Sequence, residues 1–414
     1  MSATRLLGPG RESSRAQDTL VIIQVSLAVV LLISAGLMVR TFVALQRVEL
    51  GIGSIGRIQT ARIAVPGSPD QVIRTHSEIL EQVRNIPGVE SAAFVSEAPL
   101  DGGRRAWDAV CIDGQRLVGT RIPPIRTYKS VSPGLFDTMG TPLKAGRDFT
   151  WTDAFEKRPY IVVSENLAIE LFGSAQAAIG HRAGACGARS THAEIIGVAG
   201  DVHGKAVATA PPAIVYWPPF FDGLYGPGDI RLARNVALVV RTKFDQGEGF
   251  ATQMHQAVSS VNKSIPLGSI RSMQAIVDRS LAPTSFALVL LGIAGAMALL
   301  LGVVGIYGVI AYSVARRRRE IGVRLALGAG PASVKALFVR KSLLLTARGI
   351  VFGLAASAGL MHLMSAMLFG TEPLDPVAYS AVPSILLGAA ALASYLPARR
   401  AAKIDPAIVL RSAD

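Results

Sequence analysis

Three patterns in this chain combine residue types that could do chemistry, and each lacks a residue the chemistry needs. Gly51, Gly53 and Gly56 satisfy G-x-G-x-x-G, the spacing that lets a backbone approach a pyrophosphate. That motif works only where a strand turns into a helix, whereas this triplet follows a long apolar run and reads as a flexible loop leaving it. Residues 199–206, AGDVHGKA, come close to a phosphate-binding loop, but Ala199 replaces the first glycine and Ala206 the hydroxyl that would ligate magnesium. The six histidines, at 76, 181, 192, 203, 255 and 362, contain no H-E-x-x-H and no i,i+4 pair, and no G-x-S-x-G elbow occurs. No catalytic residue, no cofactor and no metal site is therefore expected, and the chain does not read as an enzyme. Cys111 and Cys186 are the only cysteines, which rules out a zinc cluster or a disulfide-dense scaffold and leaves one bridge between them as the most they can form.

What remains is a chain built for a membrane. Half of its 414 residues are hydrophobic and the mean hydropathy is +0.41, more than a soluble core of this length needs. A helix crossing a bilayer takes about 20 apolar residues, and four runs qualify: within 19–39, 286–314, 343–363 and 379–396. The first is longer than the apolar part of a signal peptide and lacks a small-residue cleavage site. Acidic residues are absent from all four runs, so a proton-coupled transporter would have no relay and the energy must come from elsewhere. Gly349 and Gly353 form a G-x-x-x-G step, and 388–394 is almost all small residues, which suits close helix packing or a dimer contact.

Charge gives the orientation. The net charge is +13, concentrated in the short segments: residues 316–341 hold eight bases and one acid, and the tail after Pro397 adds Arg399, Arg400, Lys403 and Arg411. The connection 370–377 holds Glu372 and Asp375 and no base. Because Lys and Arg resist translocation, both termini are expected in the cytoplasm and residues 40–284 outside. The basic surplus is then an orientation device that meets anionic lipid, and nucleic-acid binding is not expected.

The outer segment alternates strand-like stretches (58–65, 89–95, 160–163, 194–199, 213–217, 235–241) with two amphipathic helices. One helix opens at Asp70 as N-cap and carries Val72, Ile79, Leu80, Val83 and Ile86; the other carries Phe250, Met254, Val258 and Val261. The expected fold is α-helical membrane protein, four transmembrane helices, with a mixed α/β extracytoplasmic domain between the first two. The parts are a cytoplasmic N-terminus 1–18, a first span 19–39, the outer domain 40–284 and the remaining spans in 285–414. Cys111 and Cys186 share the outer domain, where oxidising conditions favour a disulfide.

Between the second and third spans lies a short basic element, Glu320, Ile321, Gly322, Val323, Arg324, Leu325, Ala326, Leu327, Gly328 and Ala329, bounded by Gly330 and Pro331. Pro331 suits the first position of a new helix with Val334, Leu337 and Phe338 on one face. Such an element either lies on headgroups or docks into a soluble partner.

RREIGVRLALGAGPASVKALFVRKSLLL at 318–345 resembles the cytoplasmic signature of the FtsX-like, MacB-type ABC transporter permeases. YLPARRAAKIDPAIVLR at 395–411 resembles their C-terminal signature, which puts Pro397, Ala398, Arg399, Arg400, Asp405, Pro406, Leu410 and Arg411 at cytoplasmic signature positions. Residues 131–150, 161–173 and 195–204 resemble the family's periplasmic core domain, notably in its duplicated permeases. The resemblance implies a separate cytoplasmic ABC ATPase that meets residues 320–329, and a second permease unit, either a second copy or a paralogue. It also implies a place in the bacterial inner membrane. Two departures stand out: one unit is present where the duplicated class has two, so the chain reads as a half-length homologue or part of a longer product, and Arg348 stands where the family has a small or apolar residue. Two functions fit. In one, ATP hydrolysis by the partner moves the outer domain and drives export or extraction of a lipophilic or peptide substrate, with a periplasmic adaptor. In the other, the same motion signals to an outer partner such as a cell-wall hydrolase and nothing is transported.

Overall fold

Apolar runs too long for a globular core become long helices, and the polar stretch between the first two becomes a domain with its own cores. The computed structural model describes residues 9–401 except 103–105, 114–123, 187–189, 224, 225, 227, 244–248, 317–319, 322, 325, 326, 328, 329 and 365–367. In chain order the elements begin α1 (Pro9–Gln46), β1 (Ile58–Ala64), α2 (Pro69–Arg84), β2 (Val89–Val95), β3 (Ala106–Ile112), β4 (Ile125–Ser130), α3 (Leu135–Met139), β5 (Leu143–Gly146), α4 (Trp151–Phe155) and β6 (Tyr160–Ser164). Then come α5 (Glu165–Phe172), α6 (Ala175–Ala178), β7 (Arg182–Ala185), β8 (Ala193–Ala199), β9 (Ile214–Trp217), β10 (Phe220–Asp222), β11 (Ile230–Leu232) and β12 (Asn235–Thr242). The last are α7 (Gly249–Val261), β13 (Arg271–Ser272), α8 (Met273–Arg316), α9 (Pro331–Leu363) and α10 (Pro376–Ala401). Residues 1–47 with 283–414 form one unit and residues 48–282 another.

The 48–282 unit has two large sheets and a two-stranded one formed by β10 and β11. The first is antiparallel, in the order β13-β1-β12-β2, with α2 and α7 over one face. Period-2 alternation in β12 sends Val236, Leu238 and Val240 to that face, where they meet Phe94 from β2, Ile79 and Leu80 from α2, and Met254 and Val258 from α7. Each such fully buried side chain contributes roughly 1.5–3 kcal/mol. The N-cap of α2 is Ser68, not Asp70: Ser68 and Gln71 form a capping box, Pro69 opens the helix, and Asp70 sits in its first turn. His76 of α2 is fully buried against the Phe94 ring, centroids 4.7 Å apart.

The second sheet runs β5-β8-β6-β9-β4-β3-β7, and β7 pairs back onto β8, which closes six of its strands into a ring with β5 attached outside. Its core holds Ile161, Val163, Ile195, Val198, Val215 and Trp217 with Leu167 from α5.

In the other unit, α1, α8, α9 and α10 are each long and apolar enough to cross a membrane. The G-x-x-x-G step is a contact within the chain. A Cβ on Gly349 would lie 2.7 Å from Val25 Cβ, and one on Gly353 2.6 Å from Val29 Cβ, so these glycines let α9 close on α1. Ser26 Oγ then donates to the Gly349 carbonyl at 2.9 Å as well as to its own Ile22 carbonyl at 2.8 Å. Gly353→Leu forces these backbones apart and is expected to lower stability by about 1–3 kcal/mol. Gly359→Leu, where a Cβ meets nothing within 4 Å, is the control; equal thermal midpoints for the two variants in one detergent would refute the close-packing role.

Candidate functional site

The second apolar helix, α8, reaches Arg316, and helical backbone resumes at Glu320. Arg324 donates to Glu320 at 2.8 Å, one turn apart, and the Leu327 amide bonds the Val323 carbonyl at 3.0 Å. This turn is amphipathic in a useful way. Ile321 points inward at 4% exposure, while Leu327 stands out at 83%. Pro331 takes the first position of α9, where its missing N–H costs no hydrogen bond. The helix then runs unbroken to Leu363, so the basic element's second half is the first turns of a long apolar helix and not a separate surface element.

Between the turn and α9 lies a cavity of 160 Å³, lined by Ile321, Val334, Leu337 and Phe338 together with Glu320, Arg324 and Ser333. Val334 and Phe338 are buried, but Leu337, expected on the same face, is 45% exposed. Gly322, Leu325, Ala326, Gly328 and Ala329 lie outside the described residues, as do Asp405, Pro406, Leu410 and Arg411. Of the C-terminal signature, Pro397, Ala398, Arg399 and Arg400 form the last turn of α10. Ala398 is fully buried in the cluster that holds Ile321, Val334 and Phe338, and Arg400 Nη1 donates to Tyr307 Oη at 3.2 Å. The two signatures, some seventy residues apart in sequence, thus both contribute side chains to the one apolar core of the helix unit.

At the other end of α10, Asp375 ties two helices together. Its Oδ1 accepts the amides of Val377 and Ala378 at 2.9 and 3.1 Å, an N-cap, and its Oδ2 accepts the Arg40 guanidinium from α1. Burial works against the charged carboxylate there, but the Ala378 amide, Arg40 and the Val377 amide outweigh it and hold the group below its usual range. Nothing in the sequence marks this pairing beyond an acid placed just before an apolar run.

The nucleotide-like patterns do not make nucleotide sites. The Gly51–Gly56 stretch is tied down, contrary to the flexible loop expected: Thr141 Oγ1 donates to the Gly51 carbonyl, the Gly53 amide to Met139 O, and Arg241 Nη2 to Gly53 O. Gly51 has φ +73°, and a Cβ there would run into the Asp201 carbonyl. Residues 200–206 follow β8 as irregular chain with no helix to present amides to a phosphate. Among the described residues, no three or more His, Cys, Asp or Glu side chains gather where they could hold a metal. Cys111 in β3 and Cys186 just after β7 are joined by a disulfide with Cα atoms 5.1 Å apart, across strands that already pair at Cys111 and Gly184.

Comparison with known proteins agrees with this layout. The MacB-like periplasmic core domain model matches residues 19–245, and the FtsX-like permease C-terminal model matches residues 292–406. A macrolide export ATP-binding/permease protein MacB from Azoarcus sp. (strain BH72) is 31% identical over 205 residues, which cover 48% of this chain and 30% of that protein. An uncharacterized ABC transporter permease, YknZ from Bacillus subtilis (strain 168), is 26% identical over 289 residues, 69% of this chain and 70% of the relative. The crystal structure of the periplasmic region of MacB from Actinobacillus actinomycetemcomitans covers 55% of this chain and 94% of its own, with 15% identity and a TM-score of 0.34. With one family model spanning more than half of the chain and the other covering three of its four apolar helices, this multi-pass membrane protein belongs to the MacB/FtsX-type family of ABC transporter permeases.

Proposed function

We propose that this chain is the permease subunit of an ABC-type export system, in which a cytoplasmic ATPase docks on residues 320–329 and ATP hydrolysis is converted into motion of the 48–282 domain. That motion drives export or extraction of a lipophilic or peptide substrate. The proposal places the protein in the bacterial inner membrane with both termini cytoplasmic, next to a second permease unit, with a periplasmic adaptor as further partner. The observation that carries the reading is the turn at Glu320–Leu327. It presents an 83%-exposed leucine beside a small apolar cavity, in a basic frame that the positive-inside rule assigns to the cytoplasm. An exposed apolar side chain next to a pocket is the form a docking hot spot takes. Relatives named as export ATP-binding/permease proteins agree with it.

Leu327→Asp puts a charge on that face without touching a buried contact. Affinity-tagged wild-type and variant chains are purified from native membranes and the co-purifying proteins quantified by mass spectrometry. Recovery of an ABC ATPase with the wild type and at least tenfold less with the variant is expected. No ATPase with the wild type, or equal recovery on both chains, would remove the coupling role and leave a lipid-facing element.

A further inference from the structure

Within the 48–282 unit a cavity of 550 Å³ is lined by residues of β3, β4 and β9 together with β10 and β11, a size that suits a drug-sized molecule. One wall is a continuous aromatic surface. Tyr128 stacks on Trp217 with centroids 5.4 Å apart, and Trp217 meets Phe221 edge-on at 4.1 Å. Trp107, on β3, is 71% exposed, an unusual place for an indole that has no function. Two polar atoms on this wall have no hydrogen-bond partner among the described residues: Trp217 Nε1 and Asp108 Oδ2, both shielded from water. The other carboxylate oxygen, Oδ1, accepts the Ala109 amide at 2.7 Å.

The charges around the cavity decide what it prefers. Arg126, opposite Asp108 across the β3–β4 ladder, is paired with Glu170. Arg231 bonds Asp229 at 3.3 Å, and Arg234 donates to the Gly67 carbonyl. Both Arg231 and Arg234 are exposed, so water and salt screen them. Asp108 is only partly exposed, and its field acts through protein instead of water, where the same charge is felt several times more strongly. A carboxylate beside aromatic faces is the arrangement that holds an organic ammonium, by ion pairing on one side and cation–π attraction on the other. We infer that this cavity binds an aromatic or amphiphilic amine, whose ammonium group is held by Asp108 against the Trp217 and Tyr128 rings and whose apolar part lies along Phe221 and Trp107. This site is independent of whether an ATPase docks on residues 320–329.

The test uses the full chain in detergent and isothermal titration calorimetry with three probes of one shape: 1-naphthylmethylammonium, neutral 1-naphthylmethanol and anionic 1-naphthoate. Asp108→Asn keeps an oxygen for the Ala109 amide and removes only the charge. Saturable binding of the ammonium is expected, with a loss of at least about tenfold in Asp108→Asn and several-fold in Trp107→Ala, an exposed position whose change leaves the fold intact. The alcohol should bind at least about tenfold more weakly than the ammonium and be indifferent to Asp108→Asn. Far-UV circular dichroism and a urea-unfolding midpoint matching those of the wild type serve as the folding control for both variants. No ammonium binding, equal binding of ammonium and alcohol, an ammonium affinity unchanged in Asp108→Asn, or tighter binding of naphthoate would overturn the inference.

Discussion

Replacing Cys111 and Cys186 together by alanine is expected to lower the stability of the 48–282 domain by roughly 4–5 kcal/mol. The two residues are 75 apart in sequence. Without the bridge, the unfolded chain regains the freedom of that loop, which the chain-entropy model puts at about 4.5 kcal/mol. The native side changes little, because β3 and β7 remain paired through Val110–Ala185, Cys111–Gly184 and Ile112–Ala183. All three tryptophans, Trp107, Trp151 and Trp217, lie in this domain, so their emission during urea unfolding of the full chain reports on it alone. A midpoint shift equivalent to several kcal/mol between oxidised wild type and the double variant is the expected result. Coincident curves would show that the ladder alone holds the ring and that the bridge adds nothing.

The second large effect is acid sensitivity from His76. The ring is fully buried, neither nitrogen has a hydrogen-bond partner among the described residues, and burial pushes its pKa from 6.5 down to about 4. The unfolded chain therefore binds a proton through the interval between those values while the folded chain does not, so stability is lost as pH falls below about 6.5. From this group alone the domain should be about 2 kcal/mol less stable at pH 5 than at pH 7.5. His76→Met fills a similar volume and breaks no hydrogen bond. It should leave stability at pH 7.5 unchanged or higher and flatten the decline toward pH 5 by about that 2 kcal/mol. A variant whose stability falls with acid as steeply as the wild type would move the cause elsewhere. The Asp148 carboxyl could not be that cause: burial raises it to about 6 despite amide bonds from Gly134 and Phe149, so the folded chain takes up its proton before the unfolded chain does and acid favours folding there.

Much of the architecture was readable because burial leaves a simple periodic trace. The four apolar helices follow from run length alone. So do β1, β2, β6, β8, β9 and β12, whose apolar residues alternate or run on, and α7, whose Phe250, Met254 and Val258 share one face. The strands β3, β4 and β7 leave a weaker trace. Residues IRTYKS and RAGA carry little apolar pattern, AWDAVCI is an apolar run broken by Asp108, and all three are strands that close the ring. The Ser68 cap was visible as S-P-D-Q, with Pro69 at the first helical position, but the acid two residues on was the stronger-looking signal. For the sites, the basic segment and the C-terminal signature could be read from the residues themselves. The partner of Gly349 and Gly353 could not: Val25 and Val29 lie over three hundred residues away, and no local feature names them. The same holds for the amine cavity, since Trp107, Asp108, Tyr128 and Trp217 come from three strands that the ring's strand order places side by side, and Phe221 comes from β10, outside the ring.

The Ser26–Gly349 contact also sets a schedule for the ribosome. The two residues are 323 positions apart, so at roughly 5–20 residues per second α1 waits on the order of 15–60 s in the bilayer before its partner helix is made. During that interval the Ser26 hydroxyl has a donor's outlet inside its own helix, the Ile22 carbonyl at 2.8 Å, which spares the membrane an unpaired polar group. The first helix is thus equipped to insert alone and to exchange lipid for α9 late, after the whole soluble domain between them has been synthesised. Closure of α9 on α1 is therefore a late event, timed by the emergence of residues 349–353 and not by the insertion of residues 20–39.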